Sequence, residues 1–315
     1  MPFAERSPGQ PRHYRLFGLT LASEVELPEL REVAVSPPDV TVAVGTVPMP
    51  APLLEGGLNP IDGAAVLPVA SVGRFRVRDG TSIEIDPEPG APAANVRLFL
   101  LGSAMGALLH QRGMLPLHAN SIDIGGRAIA FIGRSGAGKS TLAAAFHDRG
   151  SALLSDDICV VTEGADGGHF AQPGIPRVRL WRDAVERSGR DADRLDIAYH
   201  GVEKYVLPIG DTYADEPLPL SAIYVLAEPH AGDAPPEIAA ITGTAAIRAL
   251  TVNTYRGAYI PLVGDPAKHF AQCLGLIRDV PIFQLRRPWQ AERIDETVRQ
   301  VTAHCAWLSA GSHPR

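Results

Sequence analysis

The stretch IAFIGRSGAGKSTLAAAF, residues 129–146, decides the fold of this chain. An apolar run leads into a glycine-rich loop, and the loop closes on Gly138-Lys139-Ser140 before a run of good helix formers. The residues from Gly133 to Ser140 match the pattern GxxxxGK[ST] at every fixed position. A strand, a glycine loop and a helix in this order are typical of a phosphate-binding loop.

Each part of this loop has a predicted role in holding a nucleoside triphosphate. The glycines let backbone N–H groups turn inward around the phosphates, and the helix N-terminus adds a favourable dipole. Lys139 is predicted to reach the β- and γ-phosphates, and the Ser140 hydroxyl to ligate Mg²⁺. The alternative is a glycine-rich turn that matches the pattern by coincidence. The predicted nucleotide-binding residues are Gly133, Ser135, Gly136, Ala137, Gly138, Lys139, Ser140 and Thr141.

Two adjacent carboxylates, Asp156 and Asp157, follow the next apolar run of the chain. If this run is a strand beside the strand of the glycine loop in a parallel sheet, its carboxyl end faces the phosphates. One carboxylate there is the usual partner of Mg²⁺, and a second can accept the proton of an incoming hydroxyl. The alternative is a surface turn with two solvated acids, because Asp is common after strands.

A histidine stands upstream of the loop, in LPLHANSI at residues 115–122. A position near the phosphates would let His118 stabilise the paired aspartates or the transferring group. The alternative is a hydrogen-bonded histidine of the core.

The rest of the chain divides at PEPGAP, residues 87–92. Before it, alternating apolar runs predict strands, and Asp79-Gly80 predicts a tight hairpin turn between two of them. After it, a long run has the composition of a helix, with Gly113 where a C-cap would fall. We therefore predict a β-rich N-terminal module over residues 1–90, as a recognition surface or packing partner, and a nucleotide-binding α/β domain over residues 91–315.

Composition and charge argue against several classes of function. The formal charge is −6 and no block of basic residues occurs, which argues against binding to nucleic acid or to an anionic membrane. The longest apolar run, residues 98–109, is too short to span a bilayer, and the N-terminus has no apolar signal region. Three widely spaced cysteines are typical of reduced core thiols. We therefore expect a cytoplasmic protein with neither nucleic acid nor membrane as a partner.

The segment LHANSIDIGGRAIAFIGRSGAGKSTLAAAFHDRGSALLSDDICVV, residues 117–161, resembles the HPr kinase/phosphorylase family. It is more similar to the HPr-kinase-like relatives found in peptide-tailoring gene sets, which include lasso-peptide kinases. The histidine, the strand pair, the glycine loop, the helix and the Asp-Asp pair occur in the family's order. The resemblance implies an α/β fold with a P-loop kinase core of the HPr-kinase type in residues 91–315.

The resemblance also implies roles for individual residues. Asp156 would be the base on the acceptor hydroxyl, Asp157 would ligate Mg²⁺, and His118 would neighbour the base, although the two aspartates could exchange roles. The segments PGIPRVRLWRDAVE and EKYVLP share features with the same relatives. In the second segment, Lys204 is implied as an extra cation for charge that develops on the γ-phosphate. Weaker candidates of the same kind are Arg177, Arg179 and Arg256.

These implications give a leading hypothesis, a kinase that depends on ATP and Mg²⁺. The acceptor would be a serine or similar hydroxyl of a peptide or small protein, such as a ribosomal precursor peptide of the lasso type. One alternative is a kinase of a small metabolite, and another is a P-loop NTPase switch with water as the acceptor. A nucleotide sensor without turnover is a further alternative. HPr kinases form hexamers, so the resemblance also makes a homo-oligomer worth testing.

Overall fold

The computed structural model describes residues 11–48, 57–198, 203–207, 209, 212–230, 232–288 and 290–311, and its fold is mixed α/β with several sheets. The described residues form two compact units. The first contains the residues up to Pro116 together with Tyr255–Phe270. The second contains Leu117–Ile197, Glu203–Thr254 and the residues from Ala271 onwards.

The first unit contains a seven-stranded sheet. Its strands are β1 Arg12–Leu16, β2 Leu19–Ser23, β3 Val40–Val44, β4 Asn59–Ile61, β5 Ala64–Val69, β6 Gly73–Arg78 and β7 Ser82–Pro87. They lie in the order β1-β2-β3-β7-β6-β5-β4. The predicted hairpin at Asp79-Gly80 is confirmed, because β6 and β7 pair across it and both residues have left-handed φ angles of 54° and 64°.

The first unit continues beyond residue 90 with a long helix after this sheet. The helix consists of α1 Ala93–Phe99, a π-helical turn Leu100–Ala104 and α2 Met105–Gln111. Its end is tied to the β6–β7 turn, because Gly80 N donates to Gln111 Oε1 at 2.8 Å and Arg112 Nη1 donates to Gly80 O at 2.8 Å. These bonds join helix and sheet, so the first unit extends to Pro116.

The same helix, Ala93–Gln111, is long and apolar enough to cross a membrane by length and composition alone. The apolar run at residues 98–109, which is too short by itself to span a bilayer, lies within this helix. Inside the unit, 61% of its most apolar window is buried, as in the core helix of a globular protein. On its own, such a helix is weak support for a membrane span.

The second unit contains a larger mixed sheet and a separate two-stranded ribbon. After β8 Leu115–Leu117, the strands of the large sheet are β9 Ala119–Asp123, β10 Ala128–Ile132, β11 Leu153–Ser155, β12 Cys159–Glu163, β13 His169–Ala171, β16 Leu218–Leu226, β17 Glu237–Ile241 and β18 Ile282–Arg286. The ribbon consists of β14 Val178–Trp181 and β15 Lys204–Leu207. The main order is β11-β9-β10-β16-β18-β17, and β13 and β12 branch from the start of β16.

The strand after the glycine loop's helix does not lie beside the strand of that loop, which corrects the sequence prediction. The hairpin through Gly125-Gly126 folds β9 against β10, so β9 occupies that place. β9 is antiparallel to both β10 and β11. Because of the two reversals, β11 runs in the same direction as β10, and β10, β16 and β18 are parallel. The carboxyl ends of these strands therefore share one edge, where open α/β sheets bind their ligands.

Stacked aromatic rings hold the helix of the glycine loop against this sheet. Among the described residues, the α-helices after α2 are α3 Lys139–His147, α4 Arg182–Arg187, α5 Gly243–Val252, α6 Ile260–Val263, α7 Pro266–Asp279 and α8 Ile294–Ser309. Phe146 of α3 stacks on Phe131 of β10, with 5.7 Å between ring centroids. Tyr224 of β16 and Phe283 of β18 continue the row at 5.8 and 5.7 Å. This packing fixes where α3 begins relative to the sheet edge.

We predict that Gly80→Ala destabilises the first unit more than Gly63→Ala does. Both residues end Asp-Gly turns with positive φ, so each alanine costs about 1–2 kcal/mol of conformational strain. At Gly80 an added Cβ would also lie 2.6 Å from Arg112 Cγ, whereas at Gly63 the nearest atom is 4.0 Å away. We expect this crowding to cost a further ~1–3 kcal/mol. Urea unfolding measures the difference, and equal losses would contradict the docking of the helix end against the turn.

Candidate active site

The glycine-rich loop connects β10 to α3 at the shared carboxyl edge of the sheet. Gly136 and Gly138 have φ angles of 81° and 87°, which glycine adopts without the clash that a Cβ would cause. The loop lysine folds back over the turn, where Lys139 Nζ donates to Gly133 O at 2.8 Å and to Arg134 O at 3.2 Å. Burial lowers the pKa of Lys139. An anionic ligand in the loop would supply the counter-charge that these carbonyl groups provide only in part.

Two side chains from distant segments hold this loop, and sequence reasoning missed both. Asn253 follows α5, and its Oδ1 accepts from Gly133 N at 3.0 Å while its Nδ2 donates to Ala249 O at 2.8 Å. Arg287 follows β18, is buried, and donates from Nη2 to Ala137 O at 2.9 Å. Neither residue belongs to a motif. The signal that could have found Arg287 is its place directly after a strand that ends at the same edge.

Asp156, directly after β11, is the centre of a buried group of hydrogen bonds. Its Oδ1 accepts from Ser140 Oγ at 3.2 Å and from Asn120 Nδ2 at 2.6 Å, and its Oδ2 accepts from Arg179 N at 2.9 Å. The residue is only 6% exposed, and burial raises the pKa of its carboxyl group. The predicted metal-binding hydroxyl of Ser140 is therefore hydrogen-bonded to Asp156.

Asp157 contacts a different set of groups. Its backbone has a φ of 74°, which is uncommon for a residue with a side chain and occurs most often at functional sites. Its Oδ2 accepts from Arg179 Nη2 at 2.6 Å, and its Oδ1 lies 3.5 Å from His118 Nδ1. The same His118 nitrogen is 3.0 Å from the Asp157 carbonyl oxygen. Burial raises the pKa of Asp157, but the surrounding cations, Arg179 foremost, outweigh it and lower the pKa below its usual value.

His118 therefore lies beside one member of the predicted aspartate pair. Burial lowers the pKa of its imidazole, against the opposing charge of Asp157. The ring is consequently neutral near pH 7, and one nitrogen can accept a hydrogen bond while the other donates. The structure brings His118, Asp156, Asp157, Lys139 and Ser140 together.

The β14–β15 ribbon adds cations beside the aspartates. Trp181 pairs with Lys204 across the ribbon, and Lys204 Nζ lies 5.6 Å from the centroid of the Trp181 ring. Burial and the charge of Arg179 lower the pKa of Lys204, whereas Asp157 and Asp156 act to raise it. The structure thus places Lys204 within electrostatic reach of both carboxylates. Arg179, a weak candidate in the sequence, is buried and paired with them.

One cavity of about 390 Å³ is bordered by most of these residues, namely His118, Lys139, Ser140, Asp157, Arg179, Lys204 and Arg287, whereas Asp156 and Asn253 are not part of its lining. Of the predicted nucleotide-binding residues, Ser135, Gly136, Gly138, Lys139, Ser140 and Thr141 line it. Its cationic lining residues are Lys139, Arg149, Arg179, Arg187, Arg190, Lys204 and Arg287, and its acidic ones are Asp148, Asp157 and Asp183. Because the whole chain carries a net charge of −6, this local excess of positive charge favours a polyanionic ligand.

Some sequence candidates lie elsewhere. Arg256 belongs to the first unit, where its Nη2 donates to Ser103 Oγ at 2.7 Å. Arg177 acts on the pKa of Lys204 but does not border the cavity. The three cysteines are buried, and burial raises the pKa of Cys159 to about 11, as expected for an unreactive core thiol.

No family model and no curated protein matches the chain. Among solved structures, it is similar to the HPr(Ser) kinase/phosphatase from Coxiella burnetii, with a TM-score of 0.34 and 13% sequence identity. The match covers 64% of this chain and 99% of that chain. Similarity at this level carries no argument about activity, so the functional assignment rests on the residues of the site.

We predict that Asn253→Ala weakens binding of a triphosphate about tenfold. The change leaves the buried N–H of Gly133 without its acceptor, which costs about 1–3 kcal/mol and frees the start of the loop. Thr251→Ala is the control, because it removes only a hydrogen bond to Arg248 O within the same helical segment. Calorimetric titration with inorganic tripolyphosphate measures the affinity. Unchanged affinity in a folded Asn253→Ala protein would contradict the role of Asn253 in holding the loop.

Proposed function

We propose that this protein is a kinase that depends on ATP and Mg²⁺ and phosphorylates a hydroxyl group of a peptide or small protein. One observation carries the proposal. The lysine and hydroxyl of a complete GxxxxGK[ST] loop lie in the same site as one buried aspartate, one partly buried aspartate and a neutral histidine. Phosphoryl transfer asks mainly for positioning and charge neutralisation, and these groups supply both.

The glycine loop is the proposed site of the triphosphate. Lys139 would exchange its contacts with Gly133 O and Arg134 O for the β- and γ-phosphate oxygens. The N-terminus of α3 and the backbone N–H groups of the loop favour the same negative charge. The cationic lining of the cavity supports a ligand with several negative charges. The proposal of ATP rather than GTP as the nucleotide rests on the resemblance to the HPr kinase family.

The residues around Ser140 fit a Mg²⁺ ion that arrives with the nucleotide. Ser140 Oγ and Asp156 Oδ1 are hard oxygen donors only 3.2 Å apart. Among the described residues, no group of three or more His, Cys, Asp or Glu could hold a metal, so phosphate oxygens would complete the shell. The bound ion would neutralise charge on the β- and γ-phosphates.

The two aspartates therefore take the reverse of the roles first implied by the resemblance. Asp156, rather than Asp157, would hold the metal with Ser140, because the Ser140 hydroxyl bonds to Asp156. Asp157 would then act on the acceptor. Its contacts with Arg179 and His118 fix the carboxylate while leaving it at the cavity wall.

The proposed transfer step needs no reactant other than ATP and the acceptor hydroxyl. As the acceptor oxygen forms a bond to the γ-phosphorus, its O–H bond breaks and the proton goes to the Asp157 carboxylate. The bond from the γ-phosphorus to the β–γ bridging oxygen breaks, and ADP leaves with that electron pair. Lys204 would stabilise the charge that moves through the γ-phosphoryl group. His118 would hold Asp157 in place through its Nδ1 contacts.

The proposed acceptor class is a serine or similar hydroxyl, including that of a ribosomal precursor peptide. Two features support this class. The segment at residues 117–161 and the segment around Lys204 resemble peptide-tailoring kinases. In addition, Trp181 is 46% exposed on the cavity wall beside Lys204, which gives a peptide side chain an apolar surface to contact.

Intact-mass spectrometry tests this function. The purified protein is mixed with Mg²⁺-ATP and with the product of any small open reading frame beside its gene, or with serine-containing peptides. We expect the mass of one phosphate on a peptide. Formation of ADP without phosphate on any peptide would overturn the peptide acceptor in favour of water or a metabolite. Failure to bind ATP at all would overturn the kinase itself.

Substitution of the two aspartates by asparagine separates their roles. We expect Asp157→Asn to slow transfer by about 10²–10⁴-fold while Mg²⁺-ATP binds almost as before, because a proton acceptor is lost. Asp156→Asn is expected to raise the Mg²⁺ concentration needed for nucleotide binding, because a metal ligand is lost. Single-turnover transfer and metal-dependent nucleotide titration measure the two effects. The opposite pattern would restore the original assignment.

Lys204→Met is predicted to lower kcat by about 10²–10³-fold with little change in the affinity for Mg²⁺-ATP. The substitution keeps most of the apolar stem but removes a charge that acts on the transferring group. Arg177→Met serves as the control, because Arg177 lies near Lys204 but outside the cavity lining. An equal loss in the two variants would assign the effect to the general positive potential rather than to Lys204.

A further inference from the structure

Asn120 is a polar residue on an apolar face of the sheet. On β9 it pairs with Phe131 of β10, and the next residue on the same face, Ile122, pairs with Ile129. Phe131, Ile122 and Ile129 are fully buried, and Asn120 is only 1% exposed. An apolar side chain at this position would extend the core without interruption, so the amide needs a separate explanation.

The amide of Asn120 contacts both proposed metal ligands, Asp156 and Ser140. Its Nδ2 lies 2.6 Å from Asp156 Oδ1 and 3.4 Å from Ser140 Oγ. This orientation lets the NH₂ group donate to the carboxylate. In the flipped orientation, the amide oxygen of Asn120 would lie against the carboxylate oxygen of Asp156, and neither could donate. In this orientation Oδ1 is buried and has no hydrogen-bond partner among the described residues.

An oxygen buried without a partner destabilises a fold. Stability of the fold therefore does not explain an asparagine at this position. Its shortest hydrogen bond is the one to Asp156. Residues that break a local packing rule are found mainly at functional sites. The contact with Asp156 is also the shortest hydrogen bond to that carboxylate, ahead of those from Arg179 N at 2.9 Å and Ser140 Oγ at 3.2 Å.

We propose that Asn120 is the positioning residue of the divalent-metal site. Its amide holds Asp156 Oδ1 beside Ser140 Oγ, and the backbone of Arg179 holds the other carboxylate oxygen. The carboxylate is thus fixed from both sides before the metal and nucleotide arrive. This inference rests on the proposed function, because it assumes that Ser140 and Asp156 bind Mg²⁺ with a nucleotide.

The coordination chemistry of Mg²⁺ makes its affinity sensitive to how firmly the Asp156 carboxylate is held. The ion requires nearly ideal octahedral geometry at about 2.0–2.1 Å, so a carboxylate free to rotate binds it less well. Groups that hydrogen-bond to metal ligands without touching the metal typically change metal affinity about 10–100-fold when they are removed. Asn120 has the geometry of such a group, whereas no motif in the sequence marks it.

The test compares Asn120→Leu and Asn120→Ser with Ser121→Ala. Leucine keeps the branched shape and removes the donor, and serine adds no bulk and is too short to reach Asp156, so the two variants disturb the packing in opposite ways. Ser121 is the matched control, because it is the next residue of β9 and its buried hydroxyl bonds to Ser155 Oγ at 2.6 Å. A fluorescent ATP analogue is titrated first in EDTA and then at increasing Mg²⁺ concentrations. The readout is nucleotide binding, so it does not depend on finding the acceptor.

We expect both Asn120 variants to bind the analogue in EDTA within about twofold of wild type and to need at least tenfold more Mg²⁺ for its metal-dependent gain in affinity. Ser121→Ala should match wild type in both conditions. An unchanged Mg²⁺ requirement in either folded Asn120 variant would overturn the inference and leave the proposed function standing. Absence of any Mg²⁺ effect in wild type would overturn both.

Discussion

The buried carboxylate of Asp156 is the constraint on which the candidate site depends. It receives hydrogen bonds from three separate segments of the second unit, through Ser140 of α3, Asn120 of β9 and the backbone of Arg179 on β14. A charge taken out of water is tolerated only when such donors surround it. The same bonds bring the glycine loop, the central sheet and the two-stranded ribbon to one point. Asp157, the next residue in the chain, contacts His118 and the guanidinium group of Arg179. The adjacent carboxylates therefore bind different groups, although Arg179 contributes to both.

The sheet topology makes this convergence work. β9 separates β10 from β11, yet two antiparallel pairings return β11 to the direction of β10. The glycine loop, the aspartates and Arg287 consequently follow strands that end at one edge. The aromatic row from Phe146 to Phe283 then sets the position of α3 against that edge. The inserted strand is also what brings Asn120 beneath the loop.

Features encoded within a few residues were predictable from the sequence. The glycine loop with its helix and the hairpin at Asp79-Gly80 depend on local backbone requirements, so their patterns predicted them correctly. The pairing partner of β11 was predicted wrongly, because it depends on contacts between distant segments. The supporting residues Asn120, Asn253 and Arg287 were missed for the same reason. Their side chains acquire a role only through what the fold places beside them.

The most direct test of a metal–nucleotide site built around Asp156 is the electron paramagnetic resonance spectrum of Mn²⁺ in place of Mg²⁺. Wild-type protein would be titrated with Mn²⁺ in the presence and absence of ATP. We predict one immobilised Mn²⁺ per chain, which requires ATP and shows coupling to phosphorus. A spectrum that remains that of free Mn²⁺-ATP, at protein concentrations well above those of the nucleotide, would contradict it.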